Sequence, residues 1–246
     1  MTTLTTPRIV LSELGPIAQL RAGRLVRRLG QLYAGLLLYG FSIALMVRGH
    51  LGLAPWDVLH SGLTHHFPID IGAALVIVSF VVMLAWIPLR EVPGLGTISN
   101  ALVIGLSTDV FLSVLSTPHA MPLRVALMTT GIALQGVATA AYIGAQFGRG
   151  PRDGLMTGLA RRTGRSLRLV RTLMELTVVA IGLMLGGVAG LGTIVYAVAI
   201  GPLSQALLPA FLVSTDRDPK ELSAWLRSGP RRPGRRAPRP RRSARR

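Results

Sequence analysis

Apolar residues come in long blocks along this chain, separated by short stretches rich in glycine, proline and charge. Six blocks approach the roughly 20 mostly apolar residues that a helix needs to cross the hydrocarbon of a bilayer. They run over residues 30–47, 72–89, 97–115, 123–145, 167–187 and 192–211. Two further segments, 56–66 and 152–162, are too short to span, and each follows directly on a proline, Pro55 and Pro151. Proline at a first helical position with aspartate two residues on is an ordinary helix start. These short segments are expected either to re-enter the membrane or to lie in its interface, where Trp56 is at home. Residues 22–29 read as a short basic surface helix ahead of the first span, and Thr97 as the N-cap of the third.

The two short segments belong to a longer pattern. Residues 52–59 (GLAPWDVL) and 148–155 (GRGPRDGL) share the frame G-x-x-P-x-D-x-L, with Pro55 and Pro151 96 positions apart. At that offset Gly40 matches Gly136, Gly62-Leu63 match Gly158-Leu159, and Ile104-Gly105 match Ile200-Gly201. Residues 94–98 (GLGTI) recur unchanged at 190–194. Coincidence among apolar residues does not put five consecutive identities and two prolines in one register, so the chain reads as a duplication. Each copy holds three spans, and an odd number forces the second copy to enter the membrane in the opposite orientation. Arginine placement agrees. With the amino terminus inside, segments 1–29, 90–96 and 146–166 and the tail carry nearly all the arginines, whereas 48–71, 116–122 and 188–191 carry Arg48 alone. That is a positive-inside pattern.

Composition reinforces a membrane reading. Half the residues are hydrophobic and mean hydropathy is +0.51. Charged residues make up 15%, against about 25% in soluble proteins. The net charge is +17, and residues 227–246 alone hold ten arginines and no acid. That tail has neither stacking aromatics nor a motif for specific nucleic-acid binding. Its position after the last span favours anionic lipid headgroups, at about 1 kcal/mol per well-placed arginine; a tail without a role is the alternative. The basic residues Arg21, Arg24, Arg27 and Arg28 before the first block resemble a signal peptide, but the block is too long for one, so a retained span is expected. Cysteine is absent, which removes disulfides, thiolate metal sites and a cysteine nucleophile.

Candidate chemistry is sparse. Gly52, Pro55 and Asp57, and Gly148, Pro151, Arg152 and Asp153, are candidates for gating or half-helix sites. Interrupted helices in inverted repeats present backbone N–H groups to solutes or ions in secondary transporters; simple helix starts are the other reading. Ionisable residues inside a bilayer are costly and often functional. Asp109 lies late in the third span and has no partner in its own helix, which suggests a coupling carboxylate. Glu175 stands one turn after Arg171 in the fifth span, close enough for an i,i+4 pair that is either structural or functional. Gly35, Gly40, Gly131, Gly136 and Gly201 are expected to let helices approach closely. His60, His65 and His66 are expected on an exposed face rather than on a metal. No cofactor is implied, and no clustered acid/base set suggests an enzyme.

On residues 52–59, 148–156 (GRGPRDGLM), 162–164 (RTG), 185–193 (LGGVAGLGT) and 200–202 (IGP), the chain resembles the YczE/YitT-type bacterial membrane proteins. The likeness covers residues 30–212 and leaves out both tails. It implies a multi-span protein of the bacterial plasma membrane, sometimes suspected of transport, and it hands over no catalytic or binding residues. The expected organisation is all-α and polytopic, with six transmembrane helices in two inverted three-helix repeats. A basic cytoplasmic arm (1–29) precedes one repeat (30–116) and the second (117–212), and a disordered cytoplasmic Arg/Pro-rich tail (213–246) follows. The expected function is secondary transport or permeation of a small solute or ion. A non-transporting scaffold that acts through helix contacts and a lipid-binding tail is the alternative.

Overall fold

The computed structural model describes residues 19–20 and 22–213. The expectations for most of the amino-terminal arm and for the arginine-rich tail lie outside these residues. Between residues 25 and 211 every regular element is a helix: α1 Leu25–Gly49, α2 Pro55–Thr64, α3 Ile71–Leu84, α4 Trp86–Leu89, α5 Leu95–Val114, α6 Met121–Gly144, α7 Pro151–Thr163, α8 Leu167–Met184 and α9 Leu191–Phe211.

Local chemistry sets the boundaries. Pro55 and Pro151 stand at the first turns of α2 and α7, where the missing N–H costs nothing. The break between α3 and α4 falls four residues before Pro88, whose ring clashes with the carbonyl at that distance. Ser166 caps α8 by accepting from the Leu169 amide at 3.3 Å. Thr97 is not the cap of α5: that helix starts at Leu95, and the Thr97 hydroxyl reaches back to accept from the Gly94 amide at 3.0 Å. Residues 22–29 form no separate surface helix, because α1 already runs from Leu25.

Five of the described helical stretches are long and apolar enough to cross a membrane: α1, α3 with α4, α5, α6 and α9. At 25 residues, α1 is about 37 Å long, more than the roughly 30 Å of hydrocarbon. Their outer faces carry exposed Val81, Leu84, Leu106, Val110, Ile194 and Val198, a surface suited to acyl chains rather than water. The expected fifth span, α8, has only 18 residues and carries Arg168, Arg171 and Glu175, which sets it apart from those five.

The 96-residue offset recurs in the backbone. α1, α2, α3 and α5 begin at 25, 55, 71 and 95, and α6, α7, α8 and α9 at 121, 151, 167 and 191. His50 and Gln146 both adopt left-handed φ (50° and 57°), as do Arg90 and Gly186 (55° and 82°). Contacts recur with the halves exchanged. The Gly96 amide donates to the Phe147 carbonyl (2.8 Å), and the Gly192 amide to the Leu51 carbonyl (2.7 Å). In the central α1–α6 contact, Gly35 abuts Ala138 and Tyr142 while Gly131 abuts Ser42 and Met46. Gly182 of α8 lies against Val58 of α2, and Trp86 of α4 lies against Gly154 of α7; large and small residues have traded sides. The core likewise forms two clusters, one with Leu32, Leu36, Tyr142 and Ile104, the other with Met128, Ile132, Met46 and Ile200.

One pair of contacts does not recur. α3 packs along α5, close enough that a methyl group on Gly72 would fall on the Gly105 carbonyl oxygen. The corresponding helices α8 and α9 make no comparable contact. At Gly201, the counterpart of Gly105, an added methyl group would meet only the Arg171 guanidinium, 3.7 Å away.

Candidate functional site

The space between α8 and α9 belongs to a cavity of about 620 Å³, within the range of small-molecule sites. Its walls come from both halves. Gly52 and Gly148 lead into the two short helices with φ of 115° and 107°, a region open to glycine and strained for other residues. Two non-helical residues follow each glycine, the second of them extended, before the prolines start α2 and α7. This turn brings Pro55 and Trp56 from one half against Pro151, Arg152 and Asp153 from the other. The indole of Trp86 donates to the Pro151 carbonyl at 3.0 Å and holds the start of α7 in place.

Three of the four tyrosines in the chain, Tyr39, Tyr142 and Tyr196, line the cavity. Tyr39 and Tyr142 meet edge to face with centroids 6.3 Å apart. The Tyr142 hydroxyl donates to Asp153 Oδ2 at 2.6 Å, and Arg152 Nη2 donates to the Tyr39 hydroxyl at 2.8 Å. The Arg152 guanidinium lies 5.9 Å from the Tyr39 ring and 5.7 Å from the Trp56 ring, within cation–π range. Burial disfavours its charge; the Tyr39 and Tyr196 oxygens and the Asp57 and Asp153 carboxylates outweigh that, and its pKa lies above the ordinary arginine value. Across the cavity, Arg171 Nε meets Glu175 Oε1 at 2.8 Å; Arg161 pairs with Glu91 at 2.9 Å.

The candidates from the sequence divide accordingly. Pro55, Gly148, Pro151, Arg152, Asp153, Arg171 and Glu175 line the cavity. Gly52 shapes the loop behind it. Asp57 is 2% exposed and bonds His60 Nδ1 at 3.0 Å, so His60 is buried rather than on an exposed face; His65 and His66 are exposed. Asp109 stands apart from the cavity. Its Oδ1 accepts from the Gly72 amide at 2.7 Å and so caps the start of α3, a partner on another helix. Among the described residues no three histidine or acidic side chains gather as metal ligands. Gly35, Gly40, Gly131 and Gly136 each abut a neighbouring helix, as expected of small residues in the spans; Gly201, expected to do the same, does not.

Sequence reasoning missed the tyrosines and Arg28. Hydroxyl-bearing rings inside apolar spans were a visible signal, since such groups need a partner when buried. Arg28 gave no such signal among the other amino-terminal arginines. It is fully buried, its guanidinium donates to the carbonyls of Gln19 (2.7 Å), Gln146 (2.8 Å) and Ala145 (2.9 Å), and it lies 4.3 Å over the Phe147 ring.

Membrane-length apolar helices around a shared cavity define a multi-helix membrane protein. The chain belongs to DUF6198, a family of unknown function whose model matches residues 26–209. Two relatives are more than 30% identical. The chain is similar to an uncharacterized protein of Haemophilus influenzae, with 40% identity over 169 residues that cover 69% of this chain and 78% of that one. It is also similar to the "uncharacterized membrane protein YczE" of Bacillus subtilis, with 32% identity over 179 residues, 72% of this chain and 83% of the relative. The expected likeness to YczE therefore holds. No solved structure matches the chain.

Proposed function

We propose that this protein is a secondary transporter or permease of the bacterial plasma membrane for a small solute or ion. In this reading it has six spans in two inverted three-helix repeats, with both termini cytoplasmic, and the arginine-rich tail holds anionic headgroups. The observation that carries the reading is the unequal packing of equivalent helices. Two halves whose main helices and contacts correspond differ most at one seam: α3 is sealed against α5, while α8 is parted from α9 by the cavity. Carriers built from inverted repeats work by exchanging such arrangements about a fixed central site. α8 serves as the fifth of the six spans because the Arg171–Glu175 pair neutralises two of its three charges and Arg168, in its first turn, can reach the interface with its long stem.

The test uses the absence of cysteine. His66→Cys and Arg165→Cys, both at exposed positions after the two short helices, are labelled in intact cells with a membrane-impermeant maleimide and again after permeabilisation. Position 66 should react from outside and position 165 only after permeabilisation. Reaction of both from one side would break the inverted topology and with it the carrier reading.

A further inference from the structure

Arg152 is a cation at the centre of a membrane protein without a carboxylate of its own. Among the described residues no acidic oxygen comes within the 4.0 Å of a salt bridge to its guanidinium. The two nearby acids are engaged elsewhere, Asp57 with His60 at 3.0 Å and Asp153 with Tyr142 at 2.6 Å. Of its N–H groups, one is committed to a protein acceptor, the Tyr39 hydroxyl. That contact and the two flanking rings hold the guanidinium at the cavity wall. The two other acids on the lining are engaged as well, Glu91 with Arg161 at 2.9 Å and Glu175 with Arg171 at 2.8 Å. The amino-terminal end of α7, which carries Arg152, adds the positive end of a helix dipole.

We propose that the cavity binds a small organic carboxylate, with the carboxylate on the free edge of the Arg152 guanidinium and the apolar body against Tyr39 and Trp56. Arginine rather than lysine suits this role because its planar fork takes a carboxylate through two parallel hydrogen bonds. Aromatic walls suit an organic acid better than an inorganic ion, which would gain nothing from them. The proposal rests on the carrier reading and names the class of its cargo.

The probe is benzoate, compared with its neutral isostere benzamide and with benzylammonium, each titrated calorimetrically into the purified full-length protein. Benzoate should bind saturably and at least tenfold more tightly than either comparator. Arg152→Gln should weaken benzoate tenfold or more, and Arg152→Lys should recover part of the loss. A thermal melt of each variant reports whether it is folded. If Arg152→Gln does not fold, alkylation of Thr157→Cys, a cavity position, supplies the readout: benzoate should slow it and benzamide should not. Benzamide binding as tightly as benzoate, or a folded Arg152→Gln that keeps its affinity, overturns the proposal. Binding of benzylammonium in preference overturns the carboxylate class but leaves the carrier reading standing, since that falls only on the sidedness labelling, which involves no ligand.

Discussion

Arg28→Met is the substitution whose cost can be worked out most directly. The guanidinium serves three carbonyls at 2.7–2.9 Å, and a hydrogen bond from a charged donor contributes about 1.5–3 kcal/mol. The Phe147 face adds about 1 kcal/mol. Direct addition overshoots, because groups in one network do not add and the carbonyls at the end of α6 recover some solvation when the strut is gone. A loss of about 3–5 kcal/mol remains, comparable to breaking a buried charged contact and a large part of the 5–15 kcal/mol of a typical fold. Thermal unfolding of the purified protein in detergent measures it. Arg28→Lys should recover part of the loss, since an ammonium reaches fewer of the three acceptors in one geometry. Arg28 also anchors Ala145 and Gln146, from which the chain runs into Gly148 and Arg152, so the methionine variant should expose the cavity. Thr157→Cys should then alkylate faster in that background. A methionine variant that melts within about 1 kcal/mol of the parent would refute the reasoning, since that is no more than the aromatic contact alone.

Gln135 is 0% exposed, and both atoms of its amide lack a partner among the described residues. Gln135→Leu should therefore raise stability by about 1–2 kcal/mol, read as a higher Tm; an unchanged or lower Tm would show that the amide is satisfied in the folded protein. Asp109→Asn keeps an acceptor for the Gly72 amide and should melt close to the parent, whereas Asp109→Ala should lose about 1–2 kcal/mol; equal losses in both would point to a need for the charge. Gly105→Ala should lose about 1–3 kcal/mol, since a methyl group there would lie 2.5 Å from the Val76 side chain and 2.6 Å from the Gly72 carbonyl oxygen. Gly201→Ala, at the corresponding position, should melt close to the parent, because only the Arg171 guanidinium lies near it, 3.7 Å away. Equal losses in both would remove the difference between the two seams.

The helices were legible because lipid and proline leave strong marks. Five of the six apolar blocks correspond to membrane-length helices, and the two prolines start α2 and α7 as their neighbours implied. The offset of 96, visible through glycines and one five-residue identity, carried through to element starts and backbone angles. The partners of the polar side chains were not legible. Nothing near Asp109 in sequence signals that its acceptor role is filled by the Gly72 amide, 37 positions away. His60 on a short helix reads as exposed until α2 is seen to pack against α8. Arg28 looked like one more interfacial arginine, and its burial depends on the end of α6, 117 residues later. Periodicity fixes which residues share a helix face, but not which distant backbone that face will meet.

The departures between the halves bear on mechanism more than their likeness does. Where the first half has Gly72 and Asp109, the second has Arg168 and Gln205. Gly72 leaves room for the Gly105 backbone, and Asp109 locks the contact through the Gly72 amide. Arg168 is bulkier, and a glutamine amide accepts a backbone hydrogen bond more weakly than a carboxylate does. The seam between α3 and α5 is therefore the more firmly closed of the two, and the seam between α8 and α9 the more readily opened. If the protein is the carrier proposed above, this difference would make it rest with the same side open in the absence of cargo. Filling the cavity would then tip the balance only to the extent that the bound solute prefers the other arrangement. A carboxylate that draws Arg152 away from Tyr39 would supply such a preference, because Arg152 spans the boundary between the halves and its hydrogen bond to Tyr39 joins α7 to α1.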